Sequence, residues 1–501
     1  MGIATSDKPL LARVKESEQD KFMQASVAKA QDAQHTKRED SRALLGNWEE
    51  WRELGEQIRQ RAIAYLPDYL EEFSNNVDKN GGDVFFADTE ADAVDYIQKI
   101  VKETGAKKLV KSKSMVTTEI DMDKQLLALN KGLALMETDL AEFILQKDNW
   151  DEPTHIVFPT LHKNRDQVRE IFMKLGYEGD NDPEHLARFA RKYLREYFLQ
   201  ADLGVTGCNF AVADTGMINL VTNEGNADLT MAIPKTQIVV MGMERIVPTM
   251  ADAEVLDNLL CRSAVGQKLT SYVTFAGQQV AGETDGPENF HVVIVDNRRS
   301  EALGTQFQSI LQCIRCGACI NVCPVYRHIG GHGYGSIYPG PIGAVLSPIL
   351  GGYEKFGELP YASSLCGACT ETCPVKIPLH KLLIQHRMVY TDRLKMQGGL
   401  NNFMMEVIGI GTGFPFLFRS AIRFGRPGLR TMAHKTDRLT ALNFIKDEPL
   451  VDKGPGLVGG WADVRDLPIP PKHKESFRSW FADHKQQQKL AQAQKDNSSD
   501  K

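Results

Sequence analysis

Seven cysteines between positions 313 and 373 constrain this 501-residue chain more than any other feature. The first run, CIRCGACINVCP, places Cys313, Cys316, Cys319, Cys323 and Pro324 in the spacing CxxCxxCxxxCP. Three thiolates two residues apart wrap one iron–sulfur cube, and a fourth after a three-residue gap points to a second cluster. Pro324 stops a helix from continuing and turns the chain away. CxxC pairs also build zinc ribbons, but those sites present two separated pairs, and a third cysteine followed by CP is atypical of them.

The second run, CGACTETCP, holds Cys366, Cys369, Cys373 and Pro374 and is one cysteine short. The crossover rule gives Cys313, Cys316, Cys319 and Cys373 to a first cluster, and Cys323, Cys366 and Cys369 to a second. Three cysteines leave the second as [3Fe–4S], or as [4Fe–4S] with a non-cysteine or exchangeable fourth ligand. His328, His332 and Cys208 are candidates for that place, each also readable as a structural residue. Gly317, Ala318, Gly367 and Ala368 let backbone amides approach the sulfurs, which raises a reduction potential. Two clusters with unequal ligand sets make a one-electron relay.

The rest of the chain narrows the class. Length sets a prior of about three domains. A net charge of −6, with 42% hydrophobic and 25% charged residues, is ordinary soluble composition and excludes a basic nucleic-acid binder. The N-terminus MGIATSDKPLLARVKESEQD has no apolar signal region, so reduced thiols and a cytoplasmic location are expected. Phe403 to Phe418 is broken by Glu406, glycines and Pro415 and is too short to span a bilayer. It reads as core or partner contact, and no transmembrane segment is expected.

Residues 1–79 read as a helical N-terminal arm, closed by the KNGGD turn. From about 80 to 300, short apolar stretches at Val84–Ala87, Lys108–Val110, Leu133–Met136, His155–Phe158, Gln237–Met241 and His291–Asp296 alternate with helices. One helix is capped by Asp182 and Pro183. That order predicts an α/β fold with a sheet covered on both faces. Residues 301–395 form the cysteine domain, whose loop GGHGYGSIYPGPIGAVLSP is long and mobile unless a buried group pins it. Residues 396–501 form a C-terminal extension with a basic patch (Arg419, Arg423, Arg426, Arg430, Lys435, Arg438) and a polar tail, QQQKLAQAQKDNSSDK, expected to be disordered. No GxGxxG, Walker, GxSxG or HExxH motif stands in its required context. Clusters move single electrons, so the chain reads as one subunit of a redox complex rather than a stand-alone catalyst.

The segments ETDLAEFI, VTGCNFAVADTGMINLVTNEGN and NFHVVIVDNRR resemble the LUD domain of lactate-utilization proteins. The cysteine region, with LQCIRCGACINVCPVYR and SLCGACTETCPVKIPLH, is similar to that of the lactate-utilization iron–sulfur protein B family, as are RSAIRFGRPGLR and the Trp461 segment. The resemblance implies a LUD-type domain, isomerase- or CoA-transferase-like in fold, then a helical ferredoxin-like two-cluster domain and the extension. It implies the same division of the seven cysteines, with [4Fe–4S] for both clusters. It further implies oxidation of L-lactate to pyruvate without NAD, alongside a cysteine-rich heterodisulfide-reductase-like subunit and a LUD-only subunit.

Fold does not give function. Asp214, Asn223, Glu224 and Asn226 lie on loops able to bind a small acid, and Lys111 and Lys113 could neutralise a carboxylate, though turn formers and solvated charges look the same. His291 reads as a core or edge residue. The arginine patch suits a solvated face, an acidic partner, or peripheral contact with an anionic membrane. Cys208 and Cys261 read as buried thiols. The rival functions are a LUD-domain isomerase- or transferase-like enzyme with structural clusters, and a non-redox scaffold.

Overall fold

Ten strands emerge between residues 83 and 295: β1 (Asp83–Ala87), β2 (Lys108–Lys111), β3 (Ala134–Glu137), β4 (Leu203–Thr206), β5 (Phe210–Val212), β6 (Met217–Thr222), β7 (Thr236–Gly242), β8 (Ile246–Val247), β9 (Tyr272–Ala276) and β10 (Asn289–Val295). This computed structural model describes residues 2–280, 282–396, 398–433, 449–462, 467–469 and 477–499. Residues 1–396 and 397–501 form two units.

Six strands make one sheet in the order β1-β10-β7-β4-β2-β3, parallel throughout. Successive side chains of a strand point to opposite faces, and β10 divides accordingly. Val293 and Val295 join one buried cluster with Ile97, Leu109 and Val240. Val292 and Ile294 join another, with Phe73, Val239 and Met241. Burial on both faces is why β7 and β10 read as near-continuous apolar runs, whereas the edge strand β1 leaves Phe86 exposed. The strands β8-β5-β6-β9 form a second sheet, in which β6 runs antiparallel to both its neighbours.

His155–Phe158, expected as a strand, is a loop. His155 Nδ1 accepts the N–H groups of Val157 (2.9 Å) and Phe158 (3.1 Å), which folds the segment back on itself and takes the amides a ladder would use. The long glycine-rich loop is also more ordered than its composition suggests. Gly340–Gly351 is a helix in which every residue from Gly340 to Leu350 is buried. Ile342, Val345, Leu346 and Ile349 leave it no polar face, and a helix apolar all round belongs inside.

Residues 10–79 fold into four helices, Leu10–Ser17, Lys21–Leu45, Trp48–Ala64 and Leu66–Lys79. They do not project as an arm. Met23, Val27, Trp48, Ile58 and Ile63 share one hydrophobic core with Leu256, Leu259, Val345, Leu383 and five of the cysteines. The sequence pattern marked the helices, but could not say which surface their apolar faces cover.

In the second unit, Gly399–Gly413 and Pro415–Met432 are helices. The apolar run at 403–418 is not core: Phe403, Ile410, Phe414 and Phe416 are exposed. Arg419, Arg423 and Arg430 are exposed on the second of these helices; the Arg426 side chain, Lys435 and Arg438 lie outside what is described. Residues 486–499 of the tail expected to be disordered continue the helix Phe477–Ser499, as their run of Gln, Lys and Ala, all good helix formers, allows; residues 500–501 lie outside what is described. Among the described residues no helix is long and apolar enough to cross a membrane.

A buried charge cluster ties the sheet to the cysteine segment. Arg299, just after β10, donates to both Glu119 oxygens at 2.8 Å and to Glu244 Oε2 at 2.8 Å, with Arg299 and Glu119 fully buried. Tyr338, from the glycine-rich segment, adds a 2.8 Å hydrogen bond to Glu119 Oε2. Burial opposes each charge, but three arginines (Arg299, Arg245 and Arg315) draw the Glu244 pKa down to about 2. Removing one partner strands the others in low dielectric, so Arg299→Leu is expected to cost about 3–5 kcal/mol. Urea unfolding of the full chain measures it; an unchanged midpoint would contradict this role.

Candidate metal centre

The two cysteine runs fold alike. Each passes through a left-handed glycine, Gly317 (φ +74°) or Gly367 (φ +84°), into a short helix, Ala318–Asn321 or Ala368–Glu371. Each is preceded by a non-glycine residue at positive φ, Arg315 (59°) and Leu365 (55°). The closing cysteines Cys323 and Cys373 donate their N–H to Ile320 and Thr370 carbonyls, both at 3.2 Å.

The thiols of the two runs feel one another's charge. Cys316 senses Cys373 and Cys313, Cys373 senses Cys313, and Cys319 senses Cys316, Cys313 and Cys373. Cys369 senses Cys323 and Cys366. Cys319 also senses Cys369, more strongly than Cys373, so the two runs lie close together. Burial first, and neighbouring thiols next, push the pKa of Cys316 up to about 12 and that of Cys369 up to about 11. For Cys373, at about 12, burial again leads, backbone N–H donors pull the other way, and Cys313 adds to the rise. Such thiols keep their protons at neutral pH unless a cation displaces them, which iron does.

Backbone N–H groups already point at sulfur: Arg315 to Cys313 Sγ (3.4 Å), Tyr326 to Cys323 Sγ (3.5 Å) and Ile377 to Cys373 Sγ (3.4 Å). Among the described residues no three Cys, His, Asp or Glu side chains close on one metal ion. Soft donors in adjoining groups, with amides aimed at them, fit iron–sulfur clusters.

The N-terminal helices hold this backbone in place. Buried Gln31 donates to the carbonyls of Ile320 (2.9 Å) and Cys323 (3.1 Å). Arg52 donates to Cys373 O (3.0 Å), and Arg38 to Thr372 O (3.0 Å) and Thr372 Oγ1. Arg59 reaches Gln312 O (3.2 Å), Leu311 O (3.0 Å), Ile246 O (2.7 Å) and Glu244 O. None of these four was singled out by motif reading; the only sequence signal is a polar residue on the apolar face of a helix.

Beside the first cysteine run lies a cavity of about 930 Å³, lined by Ser112, Lys113, Cys208, Asn226, Arg245 and Arg315 among others. Much of the lining follows the carboxyl ends of β2, β3 and β4, where open parallel sheets bind ligands. Arg315, between Cys313 and Cys316, stacks on Tyr338 (4.7 Å) and pairs with Glu244 (3.4 Å). Its Nη1 and Asn226 Oδ1 are buried without a hydrogen-bond partner among the described residues. Glu224 also lines the cavity, its pKa raised to about 6 by burial and then by Asp139.

The other polar candidates divide. Asn223 reaches the cavity but is spent on Gln267 and Ser271. Lys111 is buried in ion pairs with Asp123 (2.9 Å) and Glu137 (2.5 Å), which outweigh burial and hold it protonated. Asp214 is exposed on the β5–β6 turn, and His291 sits between Asp83 (3.2 Å) and the Tyr96 hydroxyl (3.3 Å). His328 Nδ1 is engaged by Pro324 O (2.7 Å) and His332 Nε2 by Glu152 O (2.9 Å). Cys208, expected as a buried thiol, lines the cavity half-buried with its pKa pushed up to about 12 by desolvation, and Cys261, at about 11, is buried on the same cavity wall.

Family models match the chain twice: a LUD domain over residues 70–295 and a 4Fe-4S dicluster domain over residues 309–377. Lactate utilization protein B of Bacillus cytotoxicus is 54% identical over 486 residues, 97% of this chain and 99% of that protein. Lactate utilization protein B 2 of Bacillus mycoides matches with the same figures. A DUF162 family crystal structure from Deinococcus radiodurans covers 46% of this chain and 98% of its own at 15% identity, with a TM-score of 0.26.

His155 joins the LUD loops to the first cysteine run. With Nδ1 accepting two amides, its proton sits on Nε2, which donates to Asn321 Oδ1 (3.1 Å). Burial lowers its pKa from 6.5 to about 3. A histidine depressed in the folded state contributes stability that is full above pH 6.5 and is lost as pH falls toward about 3. Melting temperatures across that window are expected to fall less for His155→Asn than for the unaltered chain; equal slopes would contradict it.

Proposed function

The chain belongs to the lactate utilization protein B family, and we propose that it is the iron–sulfur electron-transfer subunit of a complex that oxidises L-lactate to pyruvate without NAD. What supports this reading is 54% identity to a lactate utilization protein B over 97% of the chain, together with seven cysteines in two related runs. On this reading Cys313, Cys316, Cys319 and Cys373 hold one [4Fe–4S] cluster, and Cys323, Cys366 and Cys369 hold a second. Bound clusters supply one-electron transfer. The chain's own residues set the conditions: Arg38, Arg52 and Arg59 bring buried positive charge near anionic sites, and the amides on sulfur favour the reduced state. The proposed partners are a cysteine-rich heterodisulfide-reductase-like subunit and a LUD-only subunit, with residues 80–300 and 301–395 as this chain's LUD and cluster domains.

One observation favours a second reading, in which the LUD domain is itself an isomerase- or transferase-like enzyme and the clusters are structural. The cavity at the strand ends has the size of a small-molecule site, and the Glu224 carboxyl on its wall has its pKa raised to about 6. Redox behaviour separates the two, because structural clusters would not change oxidation state on addition of lactate and the partner subunits.

Cys316→Ala and Cys369→Ala are each expected to remove one cluster's electron paramagnetic resonance (EPR) signal and to abolish growth of a producing strain on L-lactate. Unimpaired growth of either variant would contradict the electron-transfer role.

A further inference from the structure

The second cysteine group lacks a fourth donor, and the repeated backbone shows what stands in its place. Shifted by 50 residues, the runs align Cys316 with Cys366, Cys319 with Cys369, Cys323 with Cys373 and Pro324 with Pro374. The position equivalent to Cys313 is then Ser363.

The local geometry is the same at both ends of that correspondence. Cys313 Sγ accepts the N–H of Arg315 at 3.4 Å, and Ser363 Oγ accepts the N–H of Leu365 at 3.1 Å. The residue donating that N–H has positive φ in each run, 59° in Arg315 and 55° in Leu365. A left-handed leucine costs about 1 kcal/mol or more, and a serine turn alone does not require it. The second run therefore keeps the strained loop that presents a ligand three residues before its CxxC pair.

The loop is also held. Arg387, on the helix Leu379–Met388, donates to Pro360 O (3.0 Å) and Ser363 O (3.2 Å) and stacks on Tyr361 (5.0 Å). His328 and His332 each have a ring nitrogen engaged by a backbone carbonyl, and Cys208 lines the cavity on the LUD side.

We propose that Ser363 Oγ is the fourth ligand of the second cluster, an inference that rests on the seven cysteines being cluster ligands. Ligation releases the hydroxyl proton to solvent and forms one Fe–O bond; no electron is transferred. Oxygen is a harder donor than thiolate and favours ferric iron, so this cluster has a lower potential than an all-cysteine cube in the same pocket. The oxygen-bound iron is also the corner lost first on oxidation.

The test uses the full chain purified anaerobically, with iron and sulfide counts, Mössbauer and EPR spectra. The unaltered protein is expected to hold about eight irons, one spectroscopically distinct from the rest. Ser363→Cys should erase that distinct iron, raise the second cluster's potential and slow its oxidative breakdown. Ser363→Ala should hold about seven irons and show a [3Fe–4S] signal, with the first cluster unchanged. Ser363→Cys keeps the proposal testable if the alanine variant folds poorly, since a distinct iron that survives it overturns the assignment. An alanine variant spectroscopically identical to the unaltered chain, or a second cluster that is [3Fe–4S] from the start, also overturns it. One cluster or none in the unaltered chain would overturn the two-cluster reading itself.

Discussion

The interaction on which the rest of the structure depends is the donation from buried side chains of the N-terminal helices to main-chain carbonyls of the cysteine loops. The cysteine loops hold only one-turn helices, whose last carbonyls find few main-chain partners, and a buried unpaired carbonyl costs about 1–3 kcal/mol. Gln31, Arg38, Arg52 and Arg59 meet that need at Ile320, Cys323, Thr372, Cys373, Leu311 and Gln312. Using arginine has a second consequence. Burial lowers the Arg59 pKa only to about 10, so the group is still charged at neutral pH, and a fixed positive charge beside thiolates offsets their mutual repulsion. Helices distant in sequence thus become part of the centre they enclose.

The two thiol groups differ in what surrounds them. A Cβ on Gly317 would lie 3.1 Å from Val157 and 3.3 Å from His155, whereas one on Gly367 would meet nothing within 4 Å. Cys316, Cys319 and Cys373 are buried, as are Cys323 and Cys369, and the difference lies in Cys366, which is exposed, against a half-buried Cys313. The first group also neighbours the cavity through Arg315. In the proposed relay this asymmetry sets a direction, with one end beside a polar pocket and the other facing outward. It also places the harder, more labile corner at the open end, where exchange with a partner's redox group needs the shortest path.

Much of this was legible before folding, and what was not has physical reasons. Thiol spacing is a local constraint, so CxxCxxCxxxCP and its partner run stood out as a two-run iron–sulfur pattern without coordinates. Strands buried on both faces were legible as apolar runs at Gln237 and His291, whereas the apolar run at Val84 is an edge strand that leaves Phe86 exposed. His155–Phe158 misled because an apolar tetrapeptide does not reveal that the histidine ring consumes its amides. Phe403–Phe418 was left between core and partner contact because hydrophobicity measures a preference to leave water without naming the surface that will cover it, and its phenylalanines prove exposed. The buried arginines could not be found by periodicity at all, since an arginine on an apolar helix face looks like an error until its carbonyl partners, about 190 to 330 residues away in sequence, are in place. Ser363 is the opposite case. Nothing in its residue type suggests a metal ligand, yet its register against Cys313 was present in the sequence. A shared offset becomes evidence about a ligand only when the backbone at both positions shows the same strained turn.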